Sequence, residues 1–304
     1  MTAPITMTPQ SVPVPLKARL SHDTALLAVG AFDALSALLI EQAGMEAAYV
    51  SGASLAYTQL GRPDIGLLSL EQVADVVTRM RDRVSIPLIV DADTGFGNAL
   101  NAARTVRVLE RAGANVVQIE DQDFPKRCGH LDGKGLIPAD EMVGKLKAAL
   151  DARKSEDTLI MARTDAIGVE GVDRALERAH MYVEAGVDAL FVEAPGDEDG
   201  MRRVVQELGH KAPLLANMVE GGKTPLMSVD QLSDIGFKIV ILPGAMVRML
   251  IPAIEDFLAS IRANGGTRAF SGRMTDLKGV NARVGLSEML ALGELYQSMP
   301  SAAE

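Results

Sequence analysis

Asn115-Val116-Val117-Gln118-Ile119-Glu120-Asp121-Gln122 decides how this chain folds. An apolar run of strand length stops abruptly at an acid. It is followed by Asp123, Phe124, Pro125, Lys126, Arg127, Cys128, Gly129 and His130. Charges of both signs beside a thiol, on a loop leaving a buried strand, mark a site carried by a rigid scaffold.

Working outward, the same unit recurs. Apolar runs at 26–30, 47–51, 87–92, 115–120, 158–164, 189–193, 213–218 and 237–242 each end in polar residues or glycine. Helical periodicity fills the gaps at 70–83, 98–112, 139–152, 172–185 and 198–207. Gly44, Gly113, Gly186 and Gly236 stand where helices should end. Eight β-α units predict an α/β protein, a (β/α)₈ barrel of the TIM type. The competing open doubly wound sheet wants a glycine-rich phosphate turn after its first strand. Val29-Gly30-Ala31-Phe32-Asp33 offers none. Residues 1–17, with Pro4, Pro9, Pro13 and Pro15, read as a flexible arm, residues 18–265 as the barrel and 266–304 as a helical extension.

The chain has 304 residues and a formal net charge of -10, which argues against nucleic acid, since no basic stripe offsets it. A single cysteine forms no internal disulfide and suggests a reducing, cytoplasmic setting. No signal peptide is read at the N-terminus. The most apolar late segment, 238–254, is interrupted by Pro243, Gly244, Arg248 and Pro252, so no membrane span is expected.

A barrel works at the C-terminal ends of its strands, and alternate strand residues share a face. Asp91 and Asp93 therefore project to one side after the third run, with Glu120 at the next strand end. Two carboxylates about 5 Å apart repel by roughly 3 kcal/mol at an effective dielectric near 20. Such a pair needs a shared proton, basic partners or a cation. An all-oxygen set suits Mg²⁺, with Mn²⁺ as an alternative, rather than Zn²⁺. Gln118 shares the face of Glu120, and Tyr49 that of Ser51. Met161, Arg163 and Asp165 align on the fifth run, where Arg163 suits a bidentate grip on a carboxylate or an internal salt bridge. Glu193 and Asn217 reach the mouth from the sixth and seventh runs. Asp64, beside Pro63, reads as a turn residue. Gly221-Gly222-Lys223-Thr224 offers backbone N–H groups and a cation to an anion without being a Walker loop.

Cys128 reads better as a general acid than as a nucleophile. An ordinary thiol is roughly 97% protonated at pH 7, and Lys126 and Arg127 would lower its pKa toward a useful range. Gly129, Gly133 and Gly135 give the loop the composition of a closing lid. The plain alternative is a surface loop with an idle thiol. The helical pattern at 245–263, with Met246, Met249, Leu250, Ile254 and Leu258, and a second at 287–296, exceed what a barrel must cover, so a subunit interface is expected.

Seven stretches together resemble the isocitrate lyase / phosphoenolpyruvate mutase superfamily. They are Tyr49-Val50-Ser51-Gly52, Gly61-Arg62-Pro63-Asp64, Asp91-Ala92-Asp93-Thr94-Gly95-Phe96-Gly97, Glu120-Asp121-Gln122, Lys126-Arg127-Cys128-Gly129-His130, Ala162-Arg163-Thr164-Asp165 and Ala216-Asn217-Met218. The resemblance implies a barrel whose last helix is exchanged between subunits, in a homotetramer. It implies Mg²⁺ near Asp91, held by Asp64, Asp93 and Glu120 largely through waters. It implies a small carboxylate substrate held by Ser51, Gly52, Ala53, Arg163 and Asn217, with Lys126, Arg127, Gly129 and His130 of the loop. Cys128, Tyr49, Arg163 and Glu193 then match catalytic positions, Cys128 protonating a departing enolate and Tyr49 helping to remove a hydroxyl proton. The implied activity is carbon–carbon cleavage of a 2-hydroxy di- or tricarboxylate of the 2-methylisocitrate or 2,3-dimethylmalate type. Val219-Glu220-Gly221-Gly222-Lys223-Thr224-Pro225 is similar to the loop of dimethylmalate lyases and of carboxyphosphonoenolpyruvate phosphonomutase. A phosphonomutase and an oxaloacetate decarboxylase are the alternatives.

Overall fold

A computed structural model of the protein describes residues 15–129 and 133–297. By internal packing the chain divides into two units, residues 1–248 and 249–304. In the first, eight strands run parallel: β1 Leu26–Ala31, β2 Ala47–Val50, β3 Leu88–Asp91, β4 Val116–Glu120, β5 Leu159–Thr164, β6 Ala189–Val192, β7 Leu214–Asn217 and β8 Ile239–Leu242. They hydrogen-bond in sequence order, and β8 pairs back onto β1, closing a barrel. Closure excludes the open sheet; seven strands lie within runs the sequence marks, and β1 extends its run by one residue, Ala31.

Parallel strands wrapped by helices are buried on both faces, which is why these runs are continuously apolar rather than alternating. Within them the two-residue period still assigns a face. One apolar cluster joins Ala28, Tyr49, Ile89, Val116, Met161, Phe191, Leu215 and Ile239 across the strands. Continuing that parity along each strand leads to Asp91, Gln118, Glu120, Arg163, Glu193 and Asn217. Cross-strand register sets Asp91 beside Gln118 and Glu120 beside Arg163. The packed interior and the polar mouth are thus one row of side chains, changing character along the strands.

Leu16 and Leu20, on and just after the short helix Leu16–Arg19, belong to the same cluster. Arg19 fixes that segment by donating to Glu46 through Nε at 2.6 Å and Nη2 at 2.7 Å, and to the Thr24 carbonyl at 2.8 Å. Residues 1–14 of the expected arm lie outside the described residues. Helix starts carry side-chain caps: Ser69 accepts from Gln72 N, Asn98 from Asn101 N and Ser228 from Gln231 N. Gly113 and Gly236 end their helices in the left-handed region, at φ 102° and 119°.

The second unit is helical. The helix Ala245–Asn264 leads into it, followed by Leu277–Arg283 and Leu286–Gln297. Phe257 meets Phe270 edge-on, with ring centres 5.2 Å apart, and the Arg273 guanidinium lies 4.3 Å above the Phe270 ring. Among its described residues none is buried, and Met249, Ile254, Leu258, Leu290 and Tyr296 are exposed. No described helix is long and apolar enough to cross a membrane.

Candidate active site

The mouth is built from carboxylates first. Asp91 closes β3, and the chain turns at once, with Asp93 at φ 46° and Phe96 at φ 58°. A non-glycine residue in that region is strained, and such strain concentrates at working sites. The Asp93 N–H donates to Asp91 Oδ1 at 3.2 Å, and Asp64 reaches the same place from the loop after β2. Lys126 supplies the compensation. Its ammonium, 3% exposed as a residue, lies 2.5 Å from Asp64 Oδ1 and 2.7 Å from Asp93 Oδ1.

Burial raises the Asp93 carboxyl pKa to about 6, against the pull of Lys126, while Asp91 and Asp64 push it further up. Glu120 is driven well above its ordinary range by burial, opposed by Arg163. Burial also disfavours the Lys126 charge, but Asp93, Glu120 and Asp64 outweigh it and hold that ammonium firmly protonated.

No three His, Cys, Asp or Glu side chains among the described residues form a group placed to hold a metal ion. The donor set nevertheless fits a hard cation bound largely through waters. It is all oxygen, and buried Glu120 Oε1 has no hydrogen-bond partner. Backbone also makes room: a Cβ on Gly52 would lie 3.1 Å from Asp93 Oδ1 and 3.3 Å from Asp91 Oδ2.

Opposite stands Arg163. It donates to Asp165 through Nε at 2.9 Å and Nη2 at 3.1 Å, and lies 3.2 Å from Glu193 Oε2 and 3.4 Å from Glu120 Oε2. Phe191 packs below the guanidinium at 4.9 Å. The internal salt bridge anticipated as an alternative is therefore present, and it fixes the guanidinium at the mouth. Asn217 Nδ2 donates to Glu193 Oε2 at 3.1 Å, and its buried Oδ1 has no hydrogen-bond partner. Tyr49 is buried, and its hydroxyl donates to Gln118 Oε1 at 3.1 Å. Burial holds that phenol well above its ordinary pKa, with Asp91 adding to the effect. Ser51 is buried and caps the turn Gly52–Leu55 by accepting from Ser54 N at 3.2 Å; Ala53 is half-buried. Glu220 pairs with Arg248 at 3.3 Å, and Thr224 is buried.

The cysteine loop folds onto this mouth. Gln122 clamps it by donating to the Arg127 carbonyl at 2.8 Å and accepting from Arg127 N at 2.9 Å. Gly129 presses on Arg163 and Glu193 so closely that a Cβ would meet Glu193 Oε2 at 2.7 Å. Cys128, its neighbour, is half-buried. His130 lies outside the described residues. Tyr57 borders the loop, its phenol pKa raised by burial and then by Cys128 and Asp64.

Three contributors go unassigned in the sequence reading. Lys134 hydrogen-bonds the Gly129 carbonyl and sits 3.0 Å from Asp165 Oδ1, joining the loop to the arginine clamp. Asp121 supports that clamp from behind, accepting from Thr164 Oγ1 at 2.7 Å, Asp165 N at 2.9 Å and the Tyr182 hydroxyl at 2.8 Å. Gln118 links Tyr49 to Asp91. Gln118 carries a sequence signal in its shared face with Glu120, and Asp121 lies in the stretch Glu120-Asp121-Gln122.

Residues 16–262 match the phosphoenolpyruvate phosphomutase family. A 2-methylisocitrate lyase of Aeropyrum pernix is 50% identical over 240 residues, covering 79% of this chain and 76% of that protein. A 2,3-dimethylmalate lyase of Eubacterium barkeri is 40% identical over 277 residues, covering 91% and 95%. A solved phosphonopyruvate hydrolase in complex with oxalate and Mg²⁺ superposes with a TM-score of 0.84 at 31% identity, covering 93% of this chain and 98% of that one.

Proposed function

This chain belongs to the phosphoenolpyruvate phosphomutase family, and we propose that within it the protein is a Mg²⁺-dependent carbon–carbon lyase. Its substrate is a 2-hydroxy di- or tricarboxylate, and its products are pyruvate and a second carboxylic acid. The observation that supports this reading is the seating of Gly129, the residue after Cys128, on Arg163 and Glu193.

Asp91, with Asp64, Asp93 and Glu120, would hold the cation. Mg²⁺ in that place supplies Lewis acidity, stabilising negative charge on the substrate's C2 oxygen and carboxylate. Arg163 and Asn217 hold the carboxylate end of the substrate, where fixed donors need no reorganisation during reaction. The 2-hydroxyl donates a hydrogen bond to the Tyr49 oxygen, whose own proton stays directed at Gln118, and gives its proton to a carboxylate of the mouth. The C2–C3 bond breaks, C2 becomes the carbonyl of pyruvate, and the bonding pair passes to C3 of the other fragment. The Cys128 thiol gives its proton to that carbon. A phosphonomutase would share the carboxylate cluster but has no use for the thiol as an acid.

Pyruvate release from 2,3-dimethylmalate and 2-methylisocitrate, followed through NADH oxidation with Mg²⁺ and then with EDTA, tests the reading. Metal-dependent pyruvate from either supports it; none from either sinks it and points to phosphonate substrates, to be followed by phosphorus NMR. Cys128→Ser should keep Mg²⁺ binding and lose most turnover. We further propose that the exposed apolar residues of the second unit meet other copies of the chain in a homotetramer in the cytoplasm. Light scattering giving a monomer mass would refute the assembly.

A further inference from the structure

Gln118 has no exposed surface, and its amide bridges two groups of the mouth. Nε2 donates to Asp91 Oδ1 at 3.2 Å, and Oε1 accepts from the Tyr49 hydroxyl at 3.1 Å. These bonds have a direction that chemistry fixes. The Gln118 NH₂ is turned toward the Asp91 carboxylate, whose Oδ1 accepts from it. The amide oxygen is then left facing Tyr49, and the phenol must donate to it. A phenol has one proton. With that proton on Gln118, the Tyr49 oxygen presents only lone pairs to anything else that touches it.

We propose that Gln118 is a positioning residue that locks Tyr49 as a hydrogen-bond acceptor, so that the site selects a ligand with a hydroxyl at C2 over the same acid with a carbonyl there. This rests on the reading that the C2 oxygen of the substrate meets Tyr49. A 2-hydroxyl donates to the locked oxygen. A 2-oxo group sets lone pair against lone pair, or else draws the phenol proton away and leaves Gln118 Oε1 buried without a donor.

The test is binding, so it stands apart from turnover. Calorimetry in Mg²⁺ compares two matched pairs, lactate with pyruvate and 2-hydroxyglutarate with 2-oxoglutarate, each enantiomer of the hydroxy acids measured separately. The wild type should favour the hydroxy acid by on the order of 10-fold or more. Tyr49→Phe and Gln118→Met should each bring the ratio to within about threefold, and the double variant should add nothing beyond Tyr49→Phe. Equal affinity in the wild type, no binding of either pair, or an unchanged ratio in Gln118→Met overturns the proposal. A merely structural role for Gln118 would weaken both members of a pair alike. Neutron diffraction on the perdeuterated wild type decides the direction of the bonds even if Gln118→Met fails to fold; a Tyr49 deuteron pointing away from Gln118 overturns the proposal. Failure to release pyruvate from hydroxy acids would remove the lyase reading and leave these ratios as they are.

Discussion

Lys126 and Asp93 face each other at 2.7 Å inside the mouth, with Asp64 on the other side of the same ammonium at 2.5 Å. Two carboxylates of the cluster thus share one ammonium supplied by the cysteine loop. Removing one partner of a buried ion pair costs about 3–5 kcal/mol, because the other charge is left uncompensated. Lys126→Met should lose stability of that order in EDTA. Mg²⁺ should then restore more stability to the variant than it adds to the wild type, by linkage of about 2.7 kcal/mol at 100 times Kd. Urea unfolding with and without Mg²⁺ measures both, and equal responses in the two proteins would exclude Lys126 as the counter-cation.

Gly129 is glycine because Arg163 and Glu193 occupy the space of a side chain. Gly129→Ala must push the loop outward. A displacement of about 1 Å at a catalytic group costs on the order of 100-fold, so kcat/KM should fall by at least about that much. The thermal midpoint should stay near that of the wild type, since the barrel beneath is untouched. Near-normal turnover would show that Cys128 is not used from this loop position.

The fold was legible because strand burial and helix periodicity are local. All eight runs form strands, and two-residue parity alone places Asp91, Glu120, Arg163 and Glu193 at one end of the barrel. Parity also exposed the problem of the Asp91 and Asp93 charges, but left three remedies open. The one the fold uses, Lys126, is 62 residues away in sequence from Asp64, and only the path of the loop decides that they meet. The role of Lys134 could not be read for the same reason, since nothing near it in sequence says that its ammonium returns to Asp165. Leu16, placed in the arm by its neighbouring prolines, proved to be buried in the barrel cluster, a tertiary contact that overrides a local signal.

Arg19 and Glu46 give the other end of the barrel a pH dependence. Hydrogen bonds from Arg19 lower the Glu46 carboxyl pKa from its ordinary value of 4.5, against the effect of burial. A lowered carboxylate pKa adds stability that is full above the unfolded value and is lost as pH falls through the folded one. Glu46 is about half exposed, so solvent screening limits the gain to about 1 kcal/mol or less. The gap in urea midpoint between wild type and Glu46→Gln should be present at about pH 6 and should close toward about pH 3. A gap that stays constant over that range would remove the charge from the explanation.

Gly52 offers a substitution whose two effects should have opposite signs. It is the first residue of the turn Gly52–Leu55, and alanine there reduces the freedom of the unfolded chain. At a compatible position that stabilises by about 0.4–1 kcal/mol. Yet the new methyl would stand 3.1 Å from Asp93 Oδ1 and 3.3 Å from Asp91 Oδ2, against both carboxylates offered to the cation. Displacing groups that orient a metal site weakens binding by about 10- to 100-fold. Gly52→Ala should therefore unfold at the same or a higher urea concentration in EDTA while its Kd for Mg²⁺, read by calorimetry, rises at least about tenfold. An unchanged Kd would place the cation elsewhere and would detach Asp91 and Asp93 from it.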